Sequence, residues 1–252
     1  MKPSVYILAS VRHPSMLNAA LLIFKTLRLG FPTVDIYVHG NALRDPALKA
    51  VQQAAQGVGA FFVNQPVTVH DVWIEQLMER ATEPFWICDT DVVFLNNVES
   101  LTGELLAGRL EPEWYCDWTD AVHVERLHTC LLYFNPGNIR SVMRAWVAKF
   151  PPPWVDTVEY TLIRQTLGRR AGKNILYDTC AGLYQVVGGR AFTDEENERF
   201  EHLSAATYVD CVDSPSMNGL STVHRAVYDD VRCASGLWQA QTNYYRAHQP
   251  VL

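Results

Sequence analysis

Charge is scarce in this chain, and long apolar runs are absent. Charged residues make up 19% of the 252 positions and the formal net charge is -6. That balance gives no general pull towards nucleic acid or acidic lipid and argues against bulk binding of either, leaving room for a local basic patch. The longest apolar run near the start, "AALLIF" at 19–24, falls far short of the roughly 20 residues a membrane span needs. The opening "MKPSVYILAS" has neither the length nor the charge of a signal peptide. Cysteines number six (Cys88, Cys116, Cys130, Cys180, Cys211 and Cys233), with no C-x-x-C pair. That spacing excludes a zinc ribbon and a disulfide frame, and implies reduced thiols in a cytoplasmic protein. Internal repeats and low-complexity segments are missing too. What is present is 48% hydrophobic residues, enough for the core of one large domain.

The first hundred residues alternate between two periods. "SVYILAS" (4–10) has the β-branched density of a strand, and Leu17, Leu21, Phe24 and Leu27 recur at helical spacing until Gly30. "TVDIYVH" (33–39) is a second strand. Asp45-Pro46 supplies a cap and a first-turn proline for a helix to about 56. "AFFV" (60–63), "VHDVWIEQLMER" (69–80) and "PFWIC" (84–88) continue as strand, helix, strand. Such alternation predicts βαβ units and a parallel sheet covered on both faces. Beyond it the pattern mixes. Strands are expected at 113–118, 130–135, 175–177, 183–187 and 207–212. Helices are expected from Pro136 to about 150, over 155–167 and from about 235, with a basic turn "GRRAGK" at 168–173. Residues 1–110 form one half of the expected domain and 111–252 the other.

The stretch "PFWICDTDVVFLNNVESL" (84–101) sets Asp89 and Asp91 between two apolar runs. With fourteen aspartates, one D-x-D arises about once by chance, so the spacing alone decides little. The context adds to it. Asp89 falls at the carboxyl end of a buried strand, the edge where open α/β sheets bind ligands. Two carboxylates there repel unless a cation or water lies between them, and an i, i+2 spacing in extended chain turns both to one side. Oxygen ligands of this kind suit Mg²⁺ or Mn²⁺. Two chemistries use such a pair. In one, the metal bridges the carboxylates to the diphosphate of a sugar nucleotide. In the other, that of haloacid-dehalogenase-like phosphatases, the first Asp is a nucleophile and the second an acid. There the motif follows the first strand, whereas here three βα units precede it, and only Lys149 and Lys173 follow as candidate lysines.

"ICDTDVVFLNNVESL" resembles the D-x-D segment of nucleotide-sugar glycosyltransferases of the GT-A fold, in particular the glycogenin/galactosyltransferase-like group. "LLYFNPGNIRSVMRAW" (131–146) is similar to the segment that contacts the donor sugar there, which would give that role to Asn135 and Gly137. "VDTVEYTLIRQTL" stands where the group has its acceptor-side helix, with Asp156 or Glu159 as a general base. "FEHLSAATY" (200–208) stands where a late His completes the metal site; His202 is one candidate and His224 in "STVHRAV" the other. The Gly and Lys-Pro-Trp that follow this His in the group are not found. The resemblance spans roughly 4 to 225. It implies a Rossmann-like, mixed but mostly parallel central sheet flanked by helices in a single domain. It also implies Mn²⁺ or Mg²⁺ on Asp89 and Asp91, a UDP-sugar donor, and Thr90 in donor contact.

In this fold the nucleotide crosses the carboxyl ends of the first strands. Ala9 and Ser10 would then line the base and ribose, and Arg12 would meet a phosphate. Trp114, Trp118 and Trp154 are stacking candidates whose bland alternative is core. The acceptor is open: a glycan, a lipid-linked sugar, a protein side chain or a hydroxymethylated DNA base. The Arg169–Arg170–Lys173 turn favours DNA and the net charge opposes it. A non-catalytic nucleotide-sugar-binding scaffold is a third expectation beside transferase and phosphatase.

Overall fold

The computed structural model describes residues 3–11, 17–116, 120–149 and 162–202. Arg12, Trp118, Trp154, Asp156, Glu159, His224, the strand expected at 207–212 and the helix expected from about 235 lie outside them.

Strand β1 (Ser4–Ala9), helix α1 (Leu17–Leu22) with a 3₁₀ turn (Ile23–Lys25), and α2 (Leu27–Gly30) open the chain. Then come β2 (Asp35–Asn41), α3 (Ala47–Gly57), β3 (Phe61–Gln65), α4 (His70–Arg80) and β4 (Phe85–Cys88). This is the alternation expected. The helix expected over 16–29 is broken at Thr26, whose hydroxyl accepts the Phe94 amide at 3.0 Å. Asp45 does not cap α3; it pairs with Lys49 at 2.9 Å instead.

Next follow β5 (Val92–Phe94), β6 (Leu106–Glu111), β7 (Trp114–Cys116), β8 (Ala121–His123), β9 (Arg126–Phe134) and α5 (Pro136–Lys149). The described chain closes with β10 (Thr166–Arg170), β11 (Lys173–Tyr177), α6 (Ala181–Val187), β12 (Arg190–Ala191), α7 (Asp194–Asn197) and β13 (Phe200–His202). Residues 183–187 are thus helical where a strand was expected. Gly182 explains the fit, because a Cβ there would fall 2.9 Å from the Leu162 carbonyl oxygen, so α6 packs close against that backbone. Thr166 and Leu167, expected to end a helix, begin the β10–β11 hairpin.

The main sheet has seven strands in the order β12-β6-β9-β4-β1-β2-β3, all parallel except β9. β4 is buried on both faces, which is why it reads as an unbroken apolar run. Trp86 and Cys88 enter the core cluster on one face with Val5, Ile7 and Val38; Phe85 and Ile87 enter the other with Trp73, Leu132 and Phe134. A smaller sheet, β10-β11-β8-β7, leads into β9, and β13 pairs with β5.

Packing around β5 admits no extra methyl. A Cβ on Gly30 would lie 2.3 Å from Phe94 Cγ, and that ring is buried against Phe31. Gly30→Ala is expected to cost about 1–3 kcal/mol by forcing the Phe94 ring or α2 aside. Denaturant unfolding should show this as a lower midpoint at constant slope; an unchanged midpoint would mean the ring has room to move.

Candidate metal site at the sheet edge

Asp89 follows the last residue of β4, and its amide donates to the Cys130 carbonyl at 2.9 Å, still in register with β9. Thr90 and Asp91 form the turn that leads into β5, and both are buried. β13 runs antiparallel to β5 with His202 opposite Val92, which sets the imidazole beside Asp91. His202 Nε2 lies 3.3 Å from Asp91 Oδ1. One ligand atom each from Asp89, Asp91 and His202 falls within 4.8 Å of the others. Of the two late histidines named from sequence, His202 is thus the one brought to the carboxylates; His224 is outside the described residues.

The electrostatics are those of a site built for a cation. Asp89 keeps 30% of its side-chain exposure, yet the protein around it removes enough water to raise its carboxyl above the usual range. His70, at the start of α4, opposes that rise with Nε2 3.7 Å from Asp89 Oδ1, while the Asp91 charge adds to it. For His202, burial disfavours the charged ring, but the hydrogen bond and charge of Asp91, with Asp89 behind, prevail and raise its pKa.

Sequence reasoning missed the neighbours of this trio. His70 stacks on Trp73 (ring centroids 5.8 Å apart), and Trp73 Nε1 donates to His39 Nδ1 at 2.8 Å. His128 and Cys130 stand on β9 next to His202, and one ligand atom from each of these three also falls within 4.8 Å. That second trio fits a metal less well. His128 Nδ1 already accepts the Cys130 amide at 3.0 Å, so a neutral ring carries its proton on Nε2 and has no free lone pair. Burial also pushes the Cys130 thiol up, away from the thiolate a metal needs. Two carboxylates and one imidazole are the set that fits, and their chemistry suits Mn²⁺ or Mg²⁺. A clue to the missed pair is in the sequence: "RLHTCLLYF" interrupts an apolar strand with His and Thr.

Other candidates are placed as follows. Ala9 and Ser10 reach the same sheet edge as Asp89, since Ile7 is paired with Cys88. Ala9 is fully buried and turned into the core, whereas Ser10 Oγ accepts from Asn41 Nδ2 at 2.9 Å. Asn41 in turn holds Thr68 through both of its amide atoms. Asn135 and Gly137 lie at the opposite edge. β9 runs antiparallel to β4, pairing Cys88 with Leu131 but Phe85 with Phe134, so Asn135 is five positions, or ~17 Å, from the Asp89 end, and Gly137 follows it in the first turn of α5. Asn135 serves the start of α5 there, its amide donating to the Leu105 carbonyl and its side chain accepting from the Asn138 amide. The residues that β9 does bring to the Asp89 edge are His128 and Cys130. In the basic turn, Arg170 is paired with Glu113 at 2.6 Å, which removes one of the three cations offered to DNA. Trp114 is 40% exposed and stacks on His123, so it is a surface ring and not core.

No family model matches the sequence, and no curated protein matches it either. Solved structures do resemble it. Galactosyltransferase LgtC, in complex with donor and acceptor sugar analogs, is 12% identical over 76% of this chain and 73% of that one, with a TM-score of 0.44. The glycosyltransferase GlyE of Streptococcus pneumoniae TIGR4 is 12% identical over 79% of this chain and 47% of that one, also at 0.44. Mouse xyloside xylosyltransferase 1 is 8% identical over 75% and 81%, at 0.41. All three are glycosyltransferases. The chain spans about half the length of GlyE, and at such identities and scores the likeness decides nothing about the site. What the site can do follows from its own residues. Among the described residues no helix is long and apolar enough to cross a membrane.

Proposed function

We propose that this chain transfers a glycosyl group from a nucleoside diphosphate sugar, with a UDP-sugar as the first candidate, to an acceptor hydroxyl. One observation carries it: Asp89, Asp91 and His202 converge at the carboxyl edge of a mostly parallel sheet, with His70 beside Asp89 and His128 beside His202. Asp89, Asp91 and His202 would hold Mn²⁺ or Mg²⁺, which when bound would supply charge to neutralise a departing diphosphate. The bond between the anomeric carbon and the phosphate oxygen breaks, a bond from that carbon to the acceptor oxygen forms, and the acceptor proton passes to a base.

The chain's own residues divide the remaining work. Residues 1–110 supply the donor half, with Ser10 and Thr90 at the nucleotide edge and Arg12 as the phosphate candidate. Residues 111–252 supply the acceptor half, with Asp156 or Glu159 as the base. His202 belongs to the second half by sequence and to the first by chemistry, so it ties the two together. His70, 3.7 Å from Asp89, limits the rise of its pKa.

Thermal unfolding against a panel of sugar nucleotides, with and without Mn²⁺, tests this. A donor-specific rise that needs the metal is the expected result, about 2.7 kcal/mol at a hundredfold excess over the dissociation constant. No shift with any donor, together with hydrolysis of a generic phosphate ester through an Asp89 phosphoenzyme, would replace the transferase with a phosphatase. Donor binding without even slow hydrolysis would leave a scaffold.

A further inference from the structure

The sheet edge that carries the metal trio is irregular on its β9 side. Gly108 of β6 pairs with Leu132 and Leu110 pairs with Leu127, so four residues of β9, 128–131, answer one residue of β6, Arg109. Bulges of this kind re-aim side chains and recur beside active sites. This one carries His128 past the end of β4, where Cys130 bonds the Asp89 amide, and sets its ring 4.8 Å from that of His202.

The bulge also decides which nitrogen of His128 is on offer. Nδ1 accepts the Cys130 amide at 3.0 Å, which leaves the proton of the neutral ring on Nε2. A charged ring carries a proton there too, so Nε2–H is a donor in either state. It meets no acceptor among the described residues, and it is not one of the buried polar atoms that packing seals off. Neighbouring donors are engaged: Trp73 Nε1 on His39 Nδ1, and the Asp89 amide on the Cys130 carbonyl.

The charge around this ring selects the acceptor it fits. Arg126 is matched by Glu111 and Asp178. Arg109, facing the bulge, has the Asn197 side chain and the Phe200 ring as partners, and no carboxylate among the described residues. Its charge reaches His128, and Asp89 and Asp91 would be matched by the ion they hold. That flank favours an anionic oxygen over a neutral hydroxyl. We infer that His128 is a donor-binding residue, whose Nε2–H holds an oxygen of the departing diphosphate beside the metal trio. The inference rests on the transferase reading and adds to it a protein group that meets the leaving group directly.

The two ring nitrogens can be replaced one at a time. Asn puts an acceptor where Nδ1 was and no donor at the Nε2 position, whereas Gln reaches that position with an amide N–H. UDP, GDP and ADP are each titrated with Mn²⁺ into the full chain by calorimetry, and the tightest is carried to the variants. His128→Asn should weaken that nucleotide by at least about tenfold, the loss of one hydrogen bond to a charged group. His128→Gln should stay within about threefold of the native chain. Mn²⁺ alone should bind all three chains alike. Equal weakening in both variants would make the ring a packing element, and loss of Mn²⁺ with the nucleotide would make it part of the metal site; either overturns the proposal. Native affinity in His128→Asn overturns it too, while leaving the transferase reading in place. A native chain that binds none of the three nucleotides overturns both.

Discussion

Asp91→Asn is expected to lower metal-dependent turnover of the sugar nucleotide by at least 10²- to 10³-fold while the fold stays intact. Asp91 supplies a carboxylate in the buried turn between β4 and β5, 3.3 Å from His202. An amide keeps a hydrogen-bond acceptor for that ring but surrenders the charge that a divalent ion needs. The loss follows from the several kcal/mol of charge stabilisation that the ion provides to a departing diphosphate. Stability should move the other way, or hardly at all. Two carboxylates facing one small volume repel, and removing one charge relieves Asp89, whose carboxyl is already held above its usual range. The metal-free variant should therefore melt within a few degrees of the native chain, or above it. Initial rates at saturating Mn²⁺, paired with melts in chelator, separate the two effects. A collapse of the metal-free fold would show that the Asp91–His202 contact is structural.

The second large effect is acid destabilisation through His128. Burial, with the charges of His202, Arg126, Arg109 and His70, lowers its pKa to about 2 from the ordinary 6.5. Because the folded value lies below the unfolded one, the unfolded chain takes up the proton first as pH falls. Stability is complete above pH ~6.5 and lost below it at about 1.4 kcal/mol per pH unit, or about 2 kcal/mol by pH 5. His39 and His123, whose pKa values burial also lowers, add in the same direction. His202 has a raised pKa, so it gains stability as pH falls towards the unfolded value of about 6.5 and is fully stabilising below that. Its opposing slope is confined to pH above ~6.5 and leaves the decline from pH 6 to 5 untouched. Urea unfolding of the metal-free protein at pH 7.5, 6 and 5 should show the decline. His128→Asn keeps an acceptor for the Cys130 amide and should flatten it, whereas an equal decline in that variant would assign the acid sensitivity elsewhere.

The first half of the fold could be read from sequence because its strands are continuous apolar runs and its helices keep one periodic face. From β1 to β4 the two periods alternate without ambiguity, and a doubly covered sheet follows. Asp89 and Asp91 were legible for the same reason, since two acids between buried runs mark a strand's exit. The direction of β9 was not legible. An apolar run reads alike in either direction, so Asn135 was expected beside the donor, whereas the antiparallel pairing carries it to the other edge and brings His128 and Cys130 to the site instead. Residues 183–187 failed for a related reason: five residues are too few to tell a buried strand from a buried turn of helix, and the approach to Leu162 that Gly182 permits is visible only in three dimensions. His70 reaches Asp89 from the start of α4, nineteen residues earlier in the chain, a contact that no local pattern encodes.

The central claim is that Asp89, Asp91 and His202 together hold one divalent ion. Electron paramagnetic resonance of Mn²⁺ titrated into the full chain tests it most directly, because the free aqua ion has a sharp signal that binding broadens, and a ligating imidazole adds a nitrogen coupling. The expected result is loss of the free signal at one equivalent, with a nitrogen coupling that His202→Gln removes and an affinity that Asp91→Asn lowers by at least an order of magnitude. Undiminished free Mn²⁺ with protein in excess, or tight binding that survives both substitutions, would contradict the site.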